Sequence, residues 1–172
     1  RAAHFPSTEQ YLRMVDGKTG ALIGLIPRLL HAVFPNQRHD AIMAWCQRMT
    51  QYYQIRDDFC NACDPVYWSK KGFFEDLDEG KMSYIIVQAV HGEHRVPDRD
   101  HLRALLRTTP VTTACKVEVY ALLYAAGVLH HTQRVLHAHR AQLLSSGIAS
   151  TLVQSLYIPA VPTPDAAQSG GA

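Results

Sequence analysis

Four side chains that offer oxygen ligands lie close together in the segment 54–61. They are Gln54, Asp57, Asp58 and Asn61. On an α-helix, residues three and four apart share a face, which places Gln54, Asp58 and Asn61 on one stripe with Asp57 beside it. Mg²⁺ takes oxygen ligands and commonly bridges one or two carboxylates to substrate phosphates. The segment is therefore a candidate magnesium site, although an isolated aspartate pair on a two-faced helix is more often a solvated polar surface.

Lysines elsewhere in the sequence can provide the positive side of such a site. Lys18 lies in a glycine-flanked run, and Lys71 and Lys81 bracket the acidic segment 75–79. Carboxylates and lysines in one cleft would form a clamp for a metal-bound diphosphate. Outside such a cleft, Lys18 would be an ordinary surface lysine, and the acidic segment would form screened ion pairs that stabilise little.

The hydrophobic pattern predicts that helices position these residues. Ser7 and Gln10 have the spacing of a capping box, and the helix that they start is expected to run to about residue 33. A second helix is expected from after Asp40 to about Asn61, with the candidate ligands on its polar side. The apolar stripe expected to face inward from the first helix comprises Leu12, Val15, Thr19, Leu22, Ile26 and Leu29.

Helices are also predicted in the rest of the chain. We expect a loop up to about residue 80, a helix over 81–91, a short helix capped by Asp98, and a long helix over 112–146 that ends at Gly147. Residues 158–172 are rich in Pro, Gly, Ser and Ala and are predicted to be a disordered tail after a folded unit of residues 1–157. No alternating strand pattern competes, so the predicted fold class is all-α.

Composition limits the function classes. The 172 residues are 47% hydrophobic and 19% charged with a net charge of +2, as expected for a globular protein of one domain. The basic residues are dispersed, so we expect no nucleic-acid partner. The apolar stretches are shorter than the roughly 18 to 20 residues of a membrane span. Four cysteines are few for this length and fit a reducing compartment, so we expect a cytoplasmic protein.

Three motifs in one order resemble those of the trans-isoprenyl diphosphate synthases. They are YLRMVDGKTG at 11–20, QIRDDFCN at 54–61 and KGFFEDLDEGKMS at 71–83. More narrowly, they are similar to fungal geranylgeranyl diphosphate synthases and to the prenyltransferase domains of fungal bifunctional terpene synthases. The resemblance extends from about Pro6 to the end of the long helix. It implies an isoprenoid-synthase-type helical bundle, of which this chain would be the C-terminal half.

The resemblance also implies roles for individual residues. Asp57 and Asp58 would belong to the second aspartate-rich motif, which helps to hold the Mg²⁺ of an allylic diphosphate, and Asn61 stands at its third position, where many members have Asp. The implied metal ligands are Asp57, Asp58 and Asn61, the implied diphosphate ligands are Lys18, Lys71 and Lys81, and the implied catalytic residues are Lys18, Thr19 and Gln54.

The implied reaction joins isopentenyl diphosphate to an allylic diphosphate and gives a long linear product, for which geranylgeranyl diphosphate is our expectation. The family's first aspartate-rich motif and its isopentenyl diphosphate cluster are not found in this sequence. We therefore expect an N-terminal half of the same enzyme, or a partner chain, to supply them, and a homo-oligomer to form. We also expect that these 172 residues alone do not elongate prenyl chains.

Two other hypotheses stay open for the function. The chain could be a non-catalytic subunit that modulates a complete prenyl synthase. It could also be a prenyltransferase domain that is fused to a terpene cyclase, which itself consumes an allylic diphosphate.

Overall fold

Helices make up the regular structure of the chain in a computed structural model that describes residues 5–35 and 39–170, the last three of these without their side chains. The described residues contain no strand, which confirms the all-α class. In chain order the helices are α1 (Thr8–Ile23), α2 (Leu25–Val33), α3 (Asp40–Cys63), α4 (Pro65–Lys71), α5 (Glu75–Asp78), α6 (Tyr84–His91), α7 (Arg99–Arg107), α8 (Thr113–Ala125), α9 (Val128–Ser145), α10 (Ser150–Ser155) and α11 (Pro164–Gly170).

The first predicted helix is divided in two. It begins at the predicted capping box, in which Ser7 Oγ accepts from the Gln10 N–H at 3.2 Å and Gln10 Oε1 accepts from the Ser7 N–H at 2.8 Å. α1 then ends before Gly24, and α2 continues after it. A Cβ at Gly24 would lie 2.7 Å from the carbonyl oxygen of Gly20, so only glycine fits this break.

The expected inward stripe of α1 and α2 is correct only at its beginning. Val15 is fully buried, but Leu22, Ile26 and Leu29 are 73%, 62% and 56% exposed. Periodicity places these residues on one face, yet it does not determine whether another element covers that face. In the described part of the chain, the face stays open beyond the first turns of α1.

α3 packs against α1, α6 and α9 and provides the centre of the core. Its buried side chains include Tyr52, Ile55 and Phe59, which are at most 1% exposed. Full burial of one such side chain stabilises the fold by about 1.5–3 kcal/mol. The core therefore fixes the end of α3 at which the candidate aspartates lie.

Two short helices replace the loop that the sequence predicts before residue 80. Asp64 caps α4 by accepting from the Val66 N–H at 3.0 Å, and Gly72 ends α4 in a left-handed conformation with φ of 98°. α5 follows and is held from outside by Lys116, whose Nζ donates to the carbonyl oxygen of Phe73 at 2.8 Å and contacts Asp78. The segment that carries Lys71 and Lys81 is thus a packed structure.

The long helix predicted over 112–146 is also two helices, because Gly127 has φ of 73° and turns the chain between α8 and α9. Within the segment predicted to be a tail, Ala167 is buried, and side chains of α8 and α9 donate to backbone carbonyl groups. Tyr120 Oη donates to the Pro162 carbonyl and Gln133 Nε2 donates to the Pro159 carbonyl, each at 2.8 Å. Proline lacks an N–H but keeps its carbonyl acceptor, which explains how a proline-rich segment can be anchored.

No helix among the described residues combines the length and the apolar character that crossing a bilayer requires.

Candidate active site

A cleft of about 460 Å³ opens between α1, α3 and the segment 76–83. Five of the residues singled out from the sequence line it, and they come from three separate segments. These five are Lys18, Gln54, Asp57, Asp58 and Lys81. Among its other lining residues are Tyr11, Met14, Asp76 and Met82.

Asp58 is the buried carboxylate of the cleft. Its Oδ2 accepts from Tyr11 Oη at 2.7 Å and from the Tyr84 N–H at 2.6 Å, and its Oδ1 accepts from Gln54 Nε2 at 3.1 Å. Burial raises the pKa of Asp58 to about 7, although these three hydrogen bonds act in the opposite direction. Both oxygens already accept hydrogen bonds, so Asp58 mainly fixes the positions of α1, α3 and the start of α6 relative to one another.

Thr19 lies behind Gln54. Its hydroxyl donates to Gln54 Oε1 at 2.9 Å, and the Gln54 amide nitrogen donates in turn to Asp58. This chain of hydrogen bonds fixes the orientation of the Gln54 amide, because its oxygen and nitrogen each have a partner. Thr19 therefore contacts the cleft through Gln54, which is the residue that lines it.

Asp57 is half-buried and lies next to Asp58 in the wall of the cleft. Tyr67 from α4 donates its hydroxyl to Asp57 Oδ1, and Lys71 Nζ donates to the same hydroxyl at 3.1 Å. Burial and the nearby Asp57 carboxylate both raise the pKa of Tyr67. Lys71 does not line the cleft; its ammonium lies 4.7 Å from the centre of the Tyr67 ring.

Lys81 shares the cleft with Asp76, a carboxylate that is not among the site residues predicted from the sequence. Its Nζ donates to Asp76 Oδ1 at 3.2 Å and also pairs with Glu79, and these acids raise the pKa of Lys81. Asp76 is 5% exposed, and burial raises its pKa. A signal for Asp76 was present in the sequence, since Gly80 allows the chain to turn and bring residue 81 back to residue 76, whose carbonyl accepts from the Lys81 N–H at 2.9 Å.

Asn61, the third expected metal ligand, does not line the cleft. Its side chain is buried, and its Oδ1 accepts from the Asp76 N–H at 3.1 Å. Its backbone carbonyl also accepts from Trp68 Nε1 at 3.1 Å. Asn61 thus joins the end of α3 to α4 and α5, because its place on the helix directs the side-chain amide towards the backbone of the following segment.

The cleft combines oxygen atoms that can ligate a cation with two exposed ammonium groups, those of Lys18 and Lys81. Over the described ranges, no three acidic, histidine or cysteine side chains surround one point closely enough to enclose a cation. Mg²⁺ usually keeps several waters and binds through one or two carboxylates together with substrate phosphates, so a partial carboxylate set suits it. The arrangement can bind a polyanion at the lysines with a hard cation beside it.

Comparisons with known proteins agree on one family. A family model described as polyprenyl synthetase matches residues 2–123. A geranylgeranyl pyrophosphate synthase of Rhodocybe pseudopiperita is 35% identical over 77% of this chain and 37% of its own length. A macrophomene synthase of Macrophomina phaseolina is 35% identical over 78% of this chain, and an ophiobolin F synthase of Emericella variicolor is 34% identical over 80%. The chain spans only 19% and 20% of the length of these last two relatives.

Proposed function

Because the chain belongs to the polyprenyl synthetase family, we propose that its cleft binds the diphosphate of an allylic substrate whose prenyl group is transferred to isopentenyl diphosphate. One observation carries this proposal: Lys18, Asp57 and Lys81, from separate segments, line the same cleft. The expected product is geranylgeranyl diphosphate, which is supported by the similarity to a relative with geranylgeranyl pyrophosphate synthase in its name.

Mg²⁺ is the proposed cofactor, since the candidate metal ligands in the cleft are carboxylate and amide oxygens. Asp57 would hold it, with the buried carboxylates Asp58 and Asp76 beside it. When bound, Mg²⁺ would neutralise part of the diphosphate charge and so favour its departure. Asn61 has no part in this proposal, because its amide oxygen accepts from the Asp76 N–H.

The two cleft lysines have a distinct proposed role. Lys18 and Lys81 would donate charge-assisted hydrogen bonds to diphosphate oxygens, each of which contributes about 1.5–3 kcal/mol. Lys81 donates to Asp76, but its side chain remains 53% exposed, so its ammonium can also donate to an anion in the cleft. Gln54, which Thr19 orients, would complete the polar wall near the reacting end of the substrate.

The same chemistry fits two protein contexts. The relatives include a geranylgeranyl pyrophosphate synthase, and they also include terpene synthases that are far longer than this chain. A prenyltransferase that acts alone and one that supplies a fused cyclase would both need the cleft described above. The products of the full-length protein distinguish these contexts, because only the second yields cyclised hydrocarbons.

Replacement of Asp57 by alanine tests the proposal. We expect Asp57→Ala to lower the turnover of the full-length protein with allylic and isopentenyl diphosphates by about 100-fold or more, because a group that stabilises the departing diphosphate acts in the transition state. Product formation is followed by mass spectrometry, which also separates linear from cyclised products.

The control for Asp57→Ala is Asp100→Asn on α7. The side chain of Asp100 is 95% exposed and is not among the residues that line the cleft, so turnover should stay unchanged. Near-normal turnover of Asp57→Ala, with folding intact by circular dichroism, would contradict the proposed function.

A further inference from the structure

Tyr67 links α4 to the cleft through a hydrogen bond whose direction is fixed. A tyrosine hydroxyl has one hydrogen to donate, and a lysine ammonium has no acceptor. Because Lys71 Nζ donates to Tyr67 Oη at 3.1 Å, the hydroxyl hydrogen is free to go to Asp57, and Oη does donate to Asp57 Oδ1. The ammonium also polarises the hydroxyl, which makes it a better donor to the carboxylate.

From this geometry we infer that Tyr67 is a positioning residue, which holds Asp57 in the orientation that binds the cation. Lys71 supports Tyr67 by donating a hydrogen bond to its hydroxyl oxygen. The inference rests on the proposed function of Asp57. One oxygen of the carboxylate is anchored, and no described side chain donates a hydrogen bond to the other, Oδ2. Anchoring one oxygen limits the rotation of the carboxylate and leaves the second oxygen for the metal.

Asp58 shows why such a device is needed at Asp57. Three donors from α1, α3 and α6 fix both oxygens of Asp58. Asp57 is more exposed and lacks these neighbours, so without Tyr67 its carboxylate could rotate freely. Two adjacent residues of one helix thus depend on different elements, Asp58 on the core and Asp57 on α4.

α4 is held firmly enough to orient a ligand. Asp64 caps its first turn through the Val66 N–H, and Asp64 Oδ2 in turn accepts from Tyr157 Oη. The indole of Trp68 is buried and donates to the Asn61 carbonyl of α3 at 3.1 Å. These contacts lie on both sides of Tyr67 in sequence, so the position of its ring is fixed relative to α3.

Tyr67→Phe removes the hydroxyl alone and is the variant that tests the inference. We expect the Mg²⁺ concentration for half-maximal turnover of the full-length protein to rise by about 10- to 100-fold. Turnover should recover most of the way at saturating Mg²⁺. A second readout needs no turnover: the Mg²⁺ concentration that half-saturates the rise in unfolding temperature, with inorganic pyrophosphate present, should increase similarly.

Matched variants separate the possible outcomes. Tyr53→Phe makes the same atomic change at an exposed position of α3 and should leave both readouts unchanged. Lys71→Met should shift both in the same direction as Tyr67→Phe but by less, since the tyrosine hydroxyl remains. Should Tyr67→Phe fail to fold, Lys71→Met takes its place as the test.

The inference is overturned if Tyr67→Phe needs no more Mg²⁺ for half-maximal turnover than Tyr53→Phe does, while Asp57→Asn needs more. In that case the proposed function stands. The inference is also overturned if Tyr67→Phe lowers turnover equally at every Mg²⁺ concentration, which would indicate a purely structural role. If Asp57→Asn itself leaves the Mg²⁺ dependence unchanged, the proposed function fails first.

Discussion

At the scale of single residues, burial separates Asp57 from Asp58. Asp58 accepts hydrogen bonds from Tyr11 Oη, the Tyr84 N–H and Gln54 Nε2, whereas Asp57 is bound at one oxygen by Tyr67. A buried donor that loses its acceptor costs about 1–3 kcal/mol. Asp58 therefore contributes more to the stability of the fold, whereas Asp57 has the larger proposed role in binding the cation.

This difference predicts how the two alanine variants unfold. Asp58→Ala should lower the free energy of unfolding by about 2–5 kcal/mol, because it leaves the Tyr11 hydroxyl and the Tyr84 N–H buried without an acceptor. Asp57→Ala should lower it by less than about 1 kcal/mol. Urea denaturation of the two full-length variants measures both values. Equal losses of stability would contradict the assigned environments.

The sequence pattern located this site to within a helical face but did not fix the direction of every side chain. Stripe geometry placed Gln54, Asp57 and Asp58 together, and all three line the cleft. Asn61, one turn further on, instead meets the backbone of α5, because the chain folds back beneath the end of α3. Helical periodicity does not predict that Asp76 lines the cleft, because its approach depends on the turn at Gly80.

At the scale of elements, the divided helices show a similar limit. Apolar periodicity continues across Gly24 and Gly127, so the pattern predicted one helix where the structure has two. The two breaks have different causes: Gly127 has a positive φ of 73°, whereas Gly24 has φ of −72° and lies where a Cβ would come within 2.7 Å of the Gly20 carbonyl oxygen. Such a break can be predicted only when glycine is recognised as a turn residue and not as a tolerated helix position.

Two glycines of this chain should respond oppositely to alanine. Gly127 has φ of 73°, so Gly127→Ala forces a strained conformation and should lower the free energy of unfolding by about 1–2 kcal/mol. Gly17 lies inside α1, and a Cβ added there would meet no other side chain within 4 Å, so Gly17→Ala should raise it by about 0.5–1 kcal/mol. Chemical denaturation measures both changes. Stabilisation by Gly127→Ala would disprove a required turn between α8 and α9.

At the scale of the whole molecule, residues 156–162 form a C-terminal strap that joins helices distant in sequence. Tyr52 of α3 donates to the Leu156 carbonyl at 3.1 Å, and Tyr120 of α8 donates to the Pro162 carbonyl at 2.8 Å. Arg56 also donates to the Tyr157 carbonyl at 2.5 Å and lies 5.0 Å from the centre of its ring. The strap therefore links the core helices to the cap of α4, through Tyr157 and Asp64.

The link predicts that a change in the strap alters the stability of α4. Hydrogen bonds to a charged acceptor contribute about 1.5–3 kcal/mol when buried, but Tyr157 is 48% exposed, so we expect a cost of about 1 kcal/mol for Tyr157→Phe. Amide hydrogen exchange in residues 65–71 should become roughly fivefold faster, because the capping carboxylate Asp64 loses a partner. Tyr53 is similarly exposed, at 44%, and shows no hydrogen bond to the strap among the described residues, so Tyr53→Phe should leave this exchange unchanged. Unaltered exchange in α4 of Tyr157→Phe would show that the cap holds without the strap.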